Sequence, residues 1–213
     1  GQIPYGLIDS SASEYSRYLE GFMALMALAR EGLTRETVFA VLDNPCVQRA
    51  IGFTSNDVKE WRRYTEGIGA FDGFEGEEHF RNVSWDAALT RLRLGVFSKS
   101  DDGLTVWEGG DDSALRFSEI VETLYRELVP LASEKLLCTP SSQEGGKRNN
   151  WADTLHRITD GFLKNGRDDS MEESVSRSLI NMLYGLEGIE GEQSLDFIVA
   201  SVEELIGGVK CRK

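Results

Sequence analysis

Cysteine, histidine and proline are all scarce in this chain, and each scarcity removes a class of chemistry. The three cysteines, Cys46, Cys138 and Cys211, are odd in number and far apart, with no CxxC pair and no Cys/His cluster. Such spacing supports neither a zinc site nor a disulfide framework, and it fits free thiols in a reducing cytoplasm. Of the two histidines, His79 lies in an acidic loop and His156 on a helix beside Leu155, so neither reads as a catalytic base. No GxxxxGKS/T phosphate loop exists; Gly145–Gly146–Lys147 lacks the preceding strand and the spacing. The pairs Asp101–Asp102 and Asp111–Asp112 lack the ligand order and closing glutamate of a calcium loop. We assign no catalytic residue, no metal ligand and no cofactor, and expect no bond chemistry from this segment.

Long apolar runs are missing too. None approaches the ~20 residues of a membrane span, and the first apolar helix carries Glu14, Arg17 and Glu20, unlike a signal peptide. The opening Gly1–Gln2–Ile3–Pro4 has no initiator methionine and reads as a cut chain. Positive charge is in short supply: 23 Lys and Arg face 36 Asp and Glu, a net charge of −13. That balance argues against a free-standing nucleic-acid binder, because affinity for DNA comes mainly from cations at phosphates. Scattered through loops and helix starts, the acids serve solubility.

What is present is a globular chain of helices. At 213 residues, with 40% hydrophobic and 28% charged content, it can bury a real core. The stretch Leu33–Arg49, LTRETVFAVLDNPCVQR, organises the rest. Thr34 reads as an N-cap, Glu36 suits the first turn, and Val38, Val41 and Leu42 form one apolar stripe. Pro45 restricts Asn44 to extended conformations and ends the helix near Asp43, then opens a second turn as its first residue.

Along the chain, Ser11 or Ser13 is positioned to cap a helix running to about Ala29, with Tyr15, Tyr18, Phe22, Leu25 and Met26 on one face. Thr54 and Asp57 form a variant capping box ahead of Val58, Trp61, Tyr64 and Thr65, with Arg62 and Arg63 largely on the other face. A glycine-rich acidic loop follows, Gly67–Glu78. Ser84 caps a helix whose stripe is Trp85, Ala88, Leu89, Leu92 and Val96. A polar excursion, Ser98–Asp112, carries a short apolar tip at Leu104–Trp107. A longer helix is expected from Ser113 to about Cys138, kinked or split at Pro130. Residues 139–150 are the clearest linker, separating an N-terminal helical part (1–138) from a C-terminal one (151–213) of the same domain. In the latter, Asn149 or Asn150 caps a helix containing Trp151, Leu155, Ile158, Phe162 and Leu163; Ser170–Tyr184 and a helix capped by Ser194 follow. The fold expected is mainly α, about nine helices in two packed groups, with at most one small hairpin around Leu104–Trp107.

Several of these segments together resemble the RecC family, the gamma subunit of exodeoxyribonuclease V, with its AddB-like relatives. The family pattern runs IPY, a helix, then VLxLLxxPxV; here Ile3, Pro4 and Tyr5 are followed by Val38, Val41, Leu42, Pro45 and Val47. Trp85–Phe97, WDAALTRLRLGVF, is similar to the family's WRxGLxRLLLGYAM, with Arg91 on the family's arginine, Gly95 on its glycine, Arg93 in place of a leucine and Asp86 in place of an arginine. Where relatives have GIRWGLD, this chain has Gly67–Ile68–Gly69–Ala70–Phe71–Asp72, without the Arg-Trp pair. The resemblance implies the helical domain usually called 2B, inserted in the second helicase-like domain of RecC. It implies a non-catalytic role in assembly and DNA-channel formation beside a RecB-type helicase-nuclease subunit, on double-stranded DNA ends, in the cytoplasm. Arg62, Arg63, Arg91 and Arg93 are the candidate contacts to DNA or a partner; Pro4, Tyr5, Val38, Leu42, Pro45, Trp85 and Gly95 are structural positions of the pattern. The competing expectation is a free-standing acidic helical adaptor for protein–protein interaction.

Overall fold

The computed structural model describes residues 16–68, 84–97, 112–137, 150–166, 170–185 and 191–207. Among these, nine α-helices, one 3-10 turn and one two-stranded antiparallel ribbon make up nearly all of the backbone. The architecture is mainly α. Buried apolar side chains of the helices before and after the expected linker belong to one contiguous core, Phe22 and Leu25 with Leu155, Leu179 and Ile198.

At its centre stands the unit read from the sequence. Thr34 Oγ1 accepts from Thr37 N at 3.1 Å while Thr34 N donates to Thr37 Oγ1 at 3.0 Å, a reciprocal cap that opens α2 (Arg35–Asp43). Asn44 is extended (φ −72°, ψ 124°), and Pro45 is the first residue of α3 (Pro45–Ile51). Asn44 Oδ1 accepts from the Cys46 and Val47 amides at 2.9 and 3.3 Å, satisfying donors that a helix start otherwise strands. Its Nδ2 donates to the Arg17 carbonyl at 2.8 Å, so the cap also holds α1 (Arg17–Glu31). Gly52 ends α3 in the left-handed region (φ +88°), and Arg116 donates to its carbonyl at 2.7 Å.

The cap of α1 differs from expectation. Ser16, not Ser11 or Ser13, accepts from the Leu19 amide at 3.2 Å, and the helix begins at Arg17. The choice is made from far along the chain. Glu172, buried, accepts from the Ser16 hydroxyl at 2.8 Å and from the amides of Arg17 and Tyr18 at 2.5 and 3.0 Å. A carboxylate at a helix N-terminus meets both unpaired N–H groups and the positive end of the dipole.

Next come α4 (Ser55–Ile68) and α5 (Trp85–Phe97), started as expected: Thr54 N donates to Asp57 at 2.7 Å, and Ala87 N reaches Ser84 Oγ at 3.4 Å. The expected long helix is shorter. It runs as α6 (Asp112–Leu128), and Pro130 sits in the 3-10 turn Val129–Ala132. Lys135–Leu137 is then a strand, β1, rather than the helix end expected through Cys138. An aromatic cluster joins α2, α4, α5 and α6: the Trp61 ring lies 5.3 Å from Phe117 and 5.0 Å from Phe53, and Phe117 lies 6.1 Å from Trp85. Both indoles are fully buried with satisfied N–H groups, Trp61 on Ser113 Oγ and Trp85 on the Leu33 carbonyl, each at 3.0 Å.

The C-terminal elements are α7 (Trp151–Phe162), capped by Asn150, then α8 (Ser170–Gly185), β2 (Glu192–Ser194) and α9 (Leu195–Gly207). β1 pairs with β2 with Lys135 opposite Ser194, and Trp151 Nε1 donates to the Gln193 carbonyl at 2.8 Å. The expected hairpin tip at Leu104–Trp107 and nearly all of the 139–150 linker lie outside the described residues. Leu163, expected on the helix, is the C-cap of α7, and the next amide, Lys164 N, donates to the Cys46 carbonyl at 3.1 Å. Arg49 Nε donates to the Lys164 carbonyl at 3.0 Å, so α3 grips the end of α7 from both sides of one residue. Tyr18 crosses the same seam; burial pushes its phenol above the ordinary value, partly offset by a hydrogen bond to Thr159.

Gly21 marks how closely α1 approaches this junction. A Cβ there would lie 2.7 Å from Leu163 Cδ2 and 2.8 Å from Asn44 Oδ1. The leucine methyl can turn away, but Asn44 is held by three hydrogen bonds. Gly21→Ala should therefore lower unfolding stability by about 1–2 kcal/mol, with overpacking outweighing the helix-propensity gain. Urea denaturation checks this, and a stabilised variant would contradict it.

Candidate partner and nucleic-acid interface

The four arginines singled out from the sequence occupy two neighbouring helices, Arg62 and Arg63 on α4, Arg91 and Arg93 on α5. Their surroundings differ sharply. Arg62 lies with its guanidinium carbon 4.4 Å above the centre of the Phe39 ring and forms an ion pair with Asp43 at the end of α2. The ring's negative face and the carboxylate both favour the cation, so this side chain clasps α4 to α2. Arg93 does the equivalent between α5 and α6, pairing with Glu122. With both partners of that pair 37% exposed, water screens it and it is worth roughly 0–1 kcal/mol.

Arg91 is half-buried and donates from Nε to the Ala87 carbonyl at 3.2 Å, one turn back along its own helix. Arg63 is exposed. One helical step, about 100°, separates it from Arg62 and turns it away from Phe39. The structure thus does not bring the four into one cationic cluster: two close helix interfaces, one lies along its own helix, one faces water. Elsewhere on the surface, Arg157 holds the Glu127 carboxyl below its ordinary value, and Arg35 donates to Glu66 at 2.9 Å.

The structural positions of the sequence pattern fall in the core where they are described. Val38, Leu42 and Trp85 are fully buried, Pro45 is half-buried at the α2–α3 break, and Gly95 lies within α5. Pro4 and Tyr5 lie outside the described residues. His156 is half-buried, its ring 6.0 Å from that of Tyr184. Among the described residues, no three His, Cys, Asp or Glu side chains are grouped to hold a metal, and no helix is long and apolar enough to cross a membrane. Sequence reading missed Glu172 as the cap of α1. An acid in the first turn of its own helix gives no local sign that it serves another.

The fold and pattern converge with comparison to known proteins. Residues 15–204 match the profile of the family described as RecBCD enzyme subunit RecC fourth domain, and the chain belongs to that family. It is similar to the RecBCD enzyme subunit RecC of Escherichia coli (strain K12), at 26% identity over 140 residues. That alignment covers 61% of this chain and 12% of the relative, so the chain corresponds to a small part of that protein's length.

The arginine geometry gives a direct test. Arg62→Ala should cost about 0.5–1.5 kcal/mol in urea unfolding, through its lost ion pair, ring contact and stem packing, and Arg93→Ala about 0.5–1 kcal/mol, through its ion pair and stem packing. Arg63→Ala should stay within about 0.5 kcal/mol of the parent. Equal losses at all three positions would contradict the separate roles of these side chains.

Proposed function

We propose that this chain is a non-catalytic helical domain of a RecC-like subunit of exodeoxyribonuclease V. Its role is in subunit assembly and in forming part of the DNA channel during ATP-dependent double-strand break repair and recombination. The observation that carries this reading is the family match, which runs along almost the whole chain and coincides with its helical core. The partner is a RecB-type helicase-nuclease subunit, the DNA is a double-stranded end held in the full assembly, and the compartment is the cytoplasm.

Charge supports a mainly protein-facing role. With a net charge of −13, the chain repels duplex DNA at long range. Arg62 and Arg93, two of the candidate cations, already have carboxylates of the same chain beside them. DNA contact by this domain is therefore local and weak in isolation, strengthened when the other subunits hold the duplex against it. The core has the rigidity such a wall requires: three tryptophans are fully buried with their N–H groups bonded.

Size-exclusion chromatography of the purified chain with a RecB-type subunit tests the proposal. Co-elution of the two is expected. Failure of the chain to associate with that subunit, and with the assembled complex, would overturn the proposal and leave the acidic adaptor reading in its place.

A further inference from the structure

Among the described residues, Arg63 stands apart from every other arginine. The others meet carboxylates, carbonyls or further groups of the chain, as at Arg49, Arg62, Arg93 and Arg116. Arg63 has no such partner within the described residues and is exposed. One turn before it on α4 is Lys59, also exposed and also without a partner there. Residues four apart share a helix face with Cβ atoms about 5–6 Å apart, so the two cations form a short ladder along one side of α4.

The acids of α4 are occupied elsewhere. Asp57 accepts from Thr54 N and Oγ1 at 2.7 and 2.8 Å, closing the helix cap. Glu60 accepts from the Ser113 hydroxyl at 3.0 Å, which points it towards α6. Glu66 accepts from Arg35 at 2.9 Å, which draws it towards α2. Asp57 is thus engaged at the start of its own helix, and Glu60 and Glu66 by neighbouring helices, while Lys59 and Arg63 are exposed to water.

We infer that Lys59 and Arg63 form a phosphate-contact ladder, through which α4 touches the backbone of a nucleic-acid strand. The inference rests on the reading of the chain as a RecC-like domain and narrows its DNA contact from four candidate arginines to one face of one helix. Charge complementarity selects the ligand: two exposed cations one helical turn apart meet neighbouring phosphates of a polyanion. Phosphate contact of this kind positions a strand and carries no sequence preference. Lys59 escaped the sequence reading because it stands apart from the Arg62–Arg63 pair; its four-residue offset from Arg63 was the available signal.

The test is fluorescence anisotropy of a labelled 3′-tailed duplex titrated with the 213-residue chain across a salt series. Each phosphate contact contributes about 0.9 to the slope of log affinity against log salt. Lys59→Ala/Arg63→Ala should flatten that slope by about 1.8 and weaken low-salt binding by about tenfold or more. A control double variant, Arg126→Ala/Arg177→Ala, removes the same charge from exposed ion pairs and should leave the slope unchanged. Circular dichroism melts should show both variants folded. An unchanged slope in the Lys59/Arg63 variant overturns the inference, as does an equal drop in the control or the absence of salt-dependent binding by the parent chain. A variant that keeps its slope but no longer co-elutes with the RecB-type subunit overturns it in favour of a protein contact. Co-elution itself reports separately on the domain assignment.

Discussion

The structure depends on the break between Asn44 and Pro45. Proline forbids a continuous helix, so the chain must turn, and Asn44 makes that turn a junction. One side chain caps α3 through two amides and reaches back to the Arg17 carbonyl of α1. Gly21 keeps α1 close enough for this to happen. From the far side of the same turn, the Cys46 carbonyl and Arg49 hold Lys164 at the end of α7. Helices widely separated in sequence therefore converge on six residues of backbone. The Glu172 carboxylate repeats the device at the start of α1, where an acid of α8 accepts from the Arg17 and Tyr18 amides.

This arrangement has a consequence for how the domain behaves mechanically. The C-terminal helices are tied to the N-terminal ones by directional polar bonds in addition to apolar contact, and such bonds lose most of their value when displaced by an ångström. Buried polar groups with complete partners favour one packing over alternatives. The proposed role as part of a channel wall would need fixed geometry more than a catalytic pocket. The clasping arginines fit that need: Arg62 and Arg93 add charge without adding a free cationic surface.

Local signals were legible in the sequence, and distant ones were not. Thr34, Thr54 and Ser84 announced their helices because a cap acts within three residues of itself. The Pro45 break was equally plain, since its cause is covalent. Local capping rules point to Ser11 or Ser13 rather than Ser16, because the partner that favours Ser16, Glu172, is 156 residues away. The local sequence predicts helix at Lys135–Leu137, because its strand character comes from pairing with Glu192–Ser194, which no local period reveals. The candidate site was half legible. Four arginines stood out by type and position, yet Arg62 and Arg63 are chemically identical neighbours, separated in role only by which of them faces Phe39.

An electron cryomicroscopy map of the RecC-like subunit carrying this domain, assembled with a RecB-type subunit on a tailed duplex, tests whether the domain stands between protein and DNA. The domain should pack against protein over much of its acidic surface, with the Lys59–Arg63 side of α4 towards a DNA strand. A domain standing clear of both the partner subunit and the DNA would contradict it.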